Sequence, residues 1–241
     1  MVKKELTMEN INLSRHISGQ FNNELESVRN QVMQMGGLIE QQLSDALSAM
    51  ADNDLELART VIVKDKEVNQ FETEVDQDCS RIIAKRQPAA SDLRLILTIM
   101  KTVTELERIG DSVSAIAKMV IENHGNKVPS LIGLENMGHI VMKMLHDALD
   151  SFTRLDINSA IAVHNEDKKV NRQYESILRE LMTFMMEDPR SIPFVLNVLA
   201  SARAIERIGD RCQNICEQIV YLVKGVDVRH ATEEEINSLI D

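Results

Sequence analysis

The sequence predicts an all-α protein made of two tandem, symmetry-related three-helix bundles, six long antiparallel helices in all. Three observations carry this. Helix breakers are scarce, with 9 Gly and 4 Pro among 241 residues, and good helix formers abound. Apolar residues recur at three-four spacing, the mark of an amphipathic helix. Blocks of sequence also return. Met35-Gly36 reappears as Met137-Gly138, Asp45-Ala46-Leu47 as Asp147-Ala148-Leu149, Asp54 as Asp156, Asp65-Lys66 as Asp167-Lys168 and Val68-Asn69 as Val170-Asn171, all 102 positions on. The string Glu-Arg-Ile-Gly-Asp stands at 107–111 and again at 206–210, 99 positions on, so the second unit is three residues shorter before it. A duplicated unit of about a hundred residues accounts for the pattern.

Each element then has its own justification. Residues 1–17 form an N-terminal arm. The first bundle spans 18–123. Its first helix carries Leu25, Val28, Val32, Met35, Ile39, Leu43, Ala46 and Met50 on one stripe. Asp52-Asn53-Asp54 ends that helix and caps the next. The second helix carries Ala58, Val61, Ile62, Val68, Phe71, Val75, Cys79 and Ile82, and stops near Gln87-Pro88 because a residue before proline resists helix. The third carries Leu93, Ile96, Leu97, Met100, Val103, Leu106, Ile109, Val113, Ile116 and Val120. Asn123 to Pro129 is a breaker-dense linker.

The second bundle spans 130–225. Its helices hold Met137, Val141, Met144 and Phe152, then a run from an Asp156 cap to about Met186, then Ile205, Ile208, Cys212 and Ile215 up to Val223, closed by Gly225. Asp188-Pro189 pairs a cap with a proline suited to the first helical position. Short connections make sequential helices antiparallel neighbours. Residues 226–241 read as a short, acidic, loosely held C-terminal tail.

Composition narrows the class. At 44% hydrophobic residues a sizeable core is available, although aromatics are only 3% and Trp is absent. The net charge of −11 and the lack of a basic stripe argue against nucleic acid. The N-terminus has no apolar signal-peptide core, and no apolar run reaches the length of a membrane span. Cys79, Cys212 and Cys216 are an odd count without a CxxC pair, which points to a reducing cytoplasm.

The chemistry lies in the duplicated motif. Glu107 and Asp111, like Glu206 and Asp210, sit four residues apart and so share one helix face. Asp65 lies 22 residues before a turn centred on Gln87, and Ile109 lies 22 after it. Equal rise along both helices therefore brings Asp65 and Asn69 level with Glu107 and Asp111. The same count from Asp188 brings Asp167 and Asn171 level with Glu206 and Asp210. Glu72 extends the first cluster, with Tyr174 or Glu175 as its looser counterpart. Carboxylates gathered this way repel and raise one another's pKa unless a cation joins them. Oxygen donors suit a hard ion such as Mg²⁺, Mn²⁺, Ca²⁺ or Fe. The plain alternative is neutralisation by Arg108, Arg207, Lys66 and Lys168 in surface ion pairs, and the duplication weighs against it. Gly110 and Gly209, both mid-helix, are explained best by close packing and otherwise by room for a ligand.

Other chemistries lack their parts. There is no Glu-x-x-His pair for a di-iron bundle, no nucleophile elbow, no phosphate-cradling Gly loop and no HExxH. His16, His124, His139, His146, His164 and His230 have no repeat symmetry, which favours surface or incidental roles over ligation. Cys212 and Cys216 read as small buried hydrophobes.

The repeated ERIGD, the turn Gln87-Pro88-Ala89-Ala90-Ser91-Asp92-Leu93-Arg94 and the opening His16-Ile17-Ser18-Gly19-Gln20-Phe21-Asn22-Asn23-Glu24-Leu25 resemble the PhoU family, from about residue 16 to residue 230. That resemblance implies the two-bundle architecture and a non-enzymatic, cytoplasmic accessory of the phosphate transporter PstSCAB. It implies negative regulation of phosphate uptake and of the phosphate-starvation regulon. The partners would be the PstB ATPase and the PhoR sensor kinase that controls PhoB. Membrane contact would be indirect, and the chain would be a homodimer. It also implies divalent or trivalent metal ions (Mg, Mn, Fe or Zn) at the ExxxD motifs, carried here by Glu107 with Asp111 and by Glu206 with Asp210. An extended motif is met at Asn214 in the second repeat, whereas the first has Ala115. The rival readings are a metal-dependent helical-bundle enzyme and a purely structural scaffold.

Overall fold

A computed structural model describes residues 19–124 and 132–240. The expected arm over 1–17 and most of the linker lie outside the described residues. Helix α1 spans Gly19–Asp52, α2 Leu55–Arg86 and α3 Ser91–Glu122, then α4 Ile132–Arg154, α5 Ile157–Glu187 and α6 Ile192–Lys224. The order follows the predicted boundaries because the stop signals act locally. Asp54 accepts from the backbone N–H groups of Glu56 and Leu57, and its counterpart Asp156 from those of Asn158 and Ser159. Just before each cap the chain turns through the left-handed region, at Asn53 (φ 53°) and Leu155 (φ 55°). Gln87 and Gly225 end α2 and α6 in the same way. Asp188 caps a single 3₁₀ turn, Pro189–Ser191, that leads into α6.

The stripes meet as antiparallel neighbours within each bundle, and α3 then packs along α6 and α1 along α4. Arg94 near the start of α3 reaches the carbonyl of Leu222 at the end of α6, at 3.5 Å. At the other end Asn197 of α6 donates to Asn123 at 3.1 Å. These two contacts make α3 and α6 antiparallel, and a single continuous core runs through both bundles.

The repeated Gly and Leu positions turn out to be one interlock. A Cβ on Gly36 would lie 2.7 Å from a Leu149 methyl, and a Cβ on Gly138 would lie 2.5 Å from a Leu47 methyl. Each repeat thus inserts its leucine into the hollow left by the other repeat's glycine. The contact is self-complementary, as across a two-fold axis.

The tail departs from its expected loose form. Val228 and Ile236 are buried against Ile157, Ile161 and Val220. A short helix α7, Glu233–Asn237, is held by a capping box in which Thr232 accepts from the N–H of Glu235 and the Glu235 carboxylate accepts from the N–H of Thr232. Ile157 and Ile161 offer an apolar face there, whereas repeat one has Leu55 and the exposed Arg59. Charge counting along the tail misses this, because two apolar residues suffice to dock it.

Candidate metal centre

In repeat one, α2 brings Asp65 to the face of α3 that carries Glu107 and Asp111. A Cβ on Gly110 would lie 3.6 Å from Asp65 Oδ1. Burial first, and then the charge of Asp111, hold the Asp65 carboxyl above its usual range. Glu107 is raised by burial and then by Asp111, Glu72 and Asp65. Glu72, the expected extension, is raised by burial and by Asp76. Asp76 was missed in the sequence reading, although Glu72 and Asp76 stand four apart on the same α2 face. Asn69 lies exposed at the rim.

Repeat two sets the same acids deeper. Asp167 is 4% exposed and Glu206 7%. A Cβ on Gly209 would fall 2.7 Å from Asp167 Oδ1, so the missing side chain is what lets this carboxylate reach the backbone of α6. Here close packing and room for a ligand-type group are one fact. Burial and the charge of Asp210 push Asp167 up to about 6. Glu206 is raised by burial and by Asp210. Asp210 is raised by burial, against the pull of Arg203, Arg211 and Arg207. Asn171 donates to Asp167 Oδ2 at 2.7 Å, so it positions that carboxylate. Asn214, one turn beyond Asp210, is half-buried.

Neutralisation by nearby basic residues is only partial. Arg108 turns to Glu105, 3.4 Å away, and Arg211 of α6 reaches the same carboxylate at 3.3 Å. Arg203 pairs with Glu206 at 2.7 Å and lies over the Tyr174 ring. Three oxygens of the predicted set, Asp65 Oδ1, Asp167 Oδ1 and Glu206 Oε2, are buried with no hydrogen-bond partner. An orphaned buried carboxylate oxygen is costly. The donor set therefore fits a hard cation. Among the described residues no three His, Cys, Asp or Glu side chains are already drawn into one coordination ring. A bound ion would have to gather them, chiefly by turning in Asp111 and Glu107 or Asp210.

His164 does not take the surface position that was one of its two expected roles. It is 8% exposed, wedged between α5 and α6. The missing repeat symmetry that argued against it is real, but symmetry does not measure burial. His139 and His146 are exposed and bond to the Glu135 carbonyl and the Glu40 carboxylate. The cysteines are buried and free as expected, with the Cys216 thiol pushed far up by burial.

The family model described as the PhoU domain matches residues 32–120 and 134–219. The chain is 56% identical over 234 residues to the phosphate-specific transport system accessory protein PhoU of Escherichia coli K12, covering 97% of each. It is 49% identical to the homolog from Pseudomonas aeruginosa, covering 90% of this chain and 91% of that one. The crystal structure of PhoU from Pseudomonas aeruginosa superposes with a TM-score of 0.83 at 48% identity, covering 86% of this chain and 100% of that one. That of the phosphate transport system regulatory protein PhoU from Streptococcus pneumoniae gives 0.82 at 33% identity, covering 87% and 99%. Two family-model matches, one on each bundle, and similarity along nearly the whole chain lead to one conclusion: the chain belongs to the PhoU family.

Proposed function

We propose that this chain is a non-enzymatic accessory of a phosphate-specific transport system. It restrains phosphate uptake and represses the phosphate-starvation regulon. The observation that carries this reading is the end-to-end similarity to relatives named as accessory and regulatory proteins of phosphate transport. Its role is that of an adaptor between the transporter's PstB ATPase and the PhoR sensor kinase. No described helix is long and apolar enough to cross a membrane, so membrane association would run through those partners. The chain would act as a homodimer.

The acidic faces give the adaptor its contact points. Asp65, Glu107 and Asp111 would hold a cation on repeat one, and Asp167, Glu206 and Asp210 on repeat two. Asn171 would orient Asp167, and Asn69 and Asn214 would add rim oxygens. The ion, one of Mg, Mn, Fe or Zn in a divalent or trivalent state, supplies positive charge that quenches the repulsion among these acids. The acids in turn fix the rotation of α3 on α2 and of α6 on α5, stiffening the surface a partner helix would meet.

The test is complementation. In cells lacking their own PhoU, alkaline phosphatase is measured in phosphate-rich medium with this gene supplied. Repression is expected. Continued high phosphatase with soluble, expressed protein would count against the adaptor. Asp111→Asn with Asp210→Asn in one chain should release repression, and normal partner binding by that double variant, stripped of metal, would remove the metal from the mechanism.

A further inference from the structure

The two repeats carry the same acids, and repeat two adds an arginine to them. Arg203 stands one turn before Glu206 on α6 and donates to its Oε1 at 2.7 Å. The guanidinium also lies over the Tyr174 ring of α5, 5.6 Å from its centre. Two helices therefore hold it, one by a charge-assisted hydrogen bond and one by the face of an aromatic ring.

The contact leaves the acids half satisfied. Glu206 is buried, yet its second oxygen, Oε2, has no hydrogen-bond partner, and neither has Oδ1 of the buried Asp167. An ion pair at this spacing on a helix surface is common and carries little energy. This one differs because its carboxylate is out of water and because the guanidinium serves only one of the two oxygens, leaving the other to bear its desolvation. A second arginine, Arg211, is engaged elsewhere, with Glu105 across the α3–α6 seam at 3.3 Å. Arg203 itself is exposed, so it has solvent to swing into.

The arginine and its ring come as a set. The positions matching Arg203 and Tyr174 are Thr104 and Glu72. The Thr104 hydroxyl turns back to the Met100 carbonyl at 3.2 Å, and Glu72 adds a carboxylate where repeat two has the ring. Repeat one thus lacks both halves of the clamp and is richer in acid. It offers an incoming cation carboxylates. Repeat two offers it a guanidinium that already holds one of them and repels a like charge.

We propose that Arg203 is a resident counter-ion of repeat two, competing with the metal for Glu206 and held over it by Tyr174, so that loading this repeat requires Arg203 to swing out. The inference rests on the Glu206–Asp210 metal reading and adds how that site is controlled. Loading also changes the surface of α6, because a guanidinium leaves the Tyr174 ring.

The chain contains no Trp and two Tyr, so Tyr221→Phe leaves Tyr174 as its single tyrosine emitter. Full-length protein carrying Tyr221→Phe, with Asp111→Asn to silence repeat one, is stripped with chelator and serves as the parent. Mn²⁺ binding is read from the free-ion electron paramagnetic resonance signal, and diamagnetic Mg²⁺ is titrated against Tyr174 emission. Arg203→Met removes the charge and keeps most of the length, Arg203→Thr installs the residue of repeat one, and Arg203→Lys keeps the charge. Thermal melting verifies that each folds. Arg203→Met and Arg203→Thr are expected to bind Mn²⁺ at least about tenfold more tightly than the parent, whereas Arg203→Lys stays close to it. Mg²⁺ should move Tyr174 emission in the parent and not in Arg203→Met. Equal or weaker Mn²⁺ binding in Arg203→Met and Arg203→Thr, or parent emission that saturating Mg²⁺ does not move, would overturn the proposal and leave the metal reading standing as long as Asp210→Asn abolishes binding. Binding that Asp210→Asn leaves unchanged, or no binding by any variant, would remove the metal reading and this inference with it.

Discussion

Repeat one and repeat two carry the same motif in the same fold, yet they present its acids differently. Asp65 is half-buried and Asp111 exposed, in a broad acidic face widened by Glu72 and Asp76. Asp167 and Glu206 are buried, and the place of a fourth acid is taken by Tyr174 under Arg203. Repeat one therefore faces water and tempers its charge by hydration and Lys118. Repeat two withdraws its charge from water and surrounds it with arginines. Duplication copies a motif, while the chemistry at each copy is set by the neighbours that are not copied.

The largest expected effects test the symmetry that both repeats share. Leu149→Ala empties the hollow over Gly36 and should cost about 2–4 kcal/mol in urea unfolding. Leu47→Ala should cost somewhat less, since Leu47 is 9% exposed against 3% for Leu149. A near-zero effect at either position would mean that the interlock does not hold the bundles together.

Next come the buried acids. The folded protein holds the Asp167 proton more tightly than the unfolded chain does, about 6 against an ordinary 3.8. That contribution to stability is full below the unfolded value and is lost as pH rises through about 6. Metal-free protein should thus lose stability as pH rises from 3.8 to about 6, and cation affinity should rise over the same window as proton competition ends. Asp167→Asn should stabilise the metal-free protein at pH 8 by roughly 1–2 kcal/mol and flatten that dependence. Asp65→Asn should do less, because Asp65 keeps part of its hydration. Equal gains from both would show that burial is not what separates the repeats.

The glycines sharpen the contrast further. Gly209→Ala drives a methyl into Asp167 and should cost roughly 1–3 kcal/mol. Gly110→Ala meets Val68 Cγ1 at 3.1 Å and Asp65 Oδ1 only at an ordinary 3.6 Å, contacts offset by about 1 kcal/mol of helix propensity. Chemical denaturation of the two variants gives the comparison directly. Smallest of all, Arg211→Ala removes an ion pair to Glu105 on the α3–α6 seam and should change stability by less than about 1 kcal/mol, read as a slight shift in melting temperature.

Much of this was legible in the chain because the signals are local. Asp54, Asp156, Gln87-Pro88 and Gly225 mark helix ends through bonds to their immediate neighbours, so the six helices follow from the sequence alone. Level counting across the α2–α3 and α5–α6 turns also placed Asp65 and Asp167 opposite their motifs, because helical rise is constant. Rotation about the helix axes is not in that count. It put Asn69 on the rim, turned Asn171 onto Asp167, drew Asp76 into the first cluster and buried His164. The docking of the tail by Val228 and Ile236 likewise depended on an apolar face created by Ile157 and Ile161 far back in the chain. The repeat itself, its helices and the presence of paired acids were determined by the sequence. How deep each acid lies, which cations reach it, and that Gly36 and Gly138 receive each other's leucines were decided only by packing, because burial and charge compensation belong to the neighbours a residue meets in space.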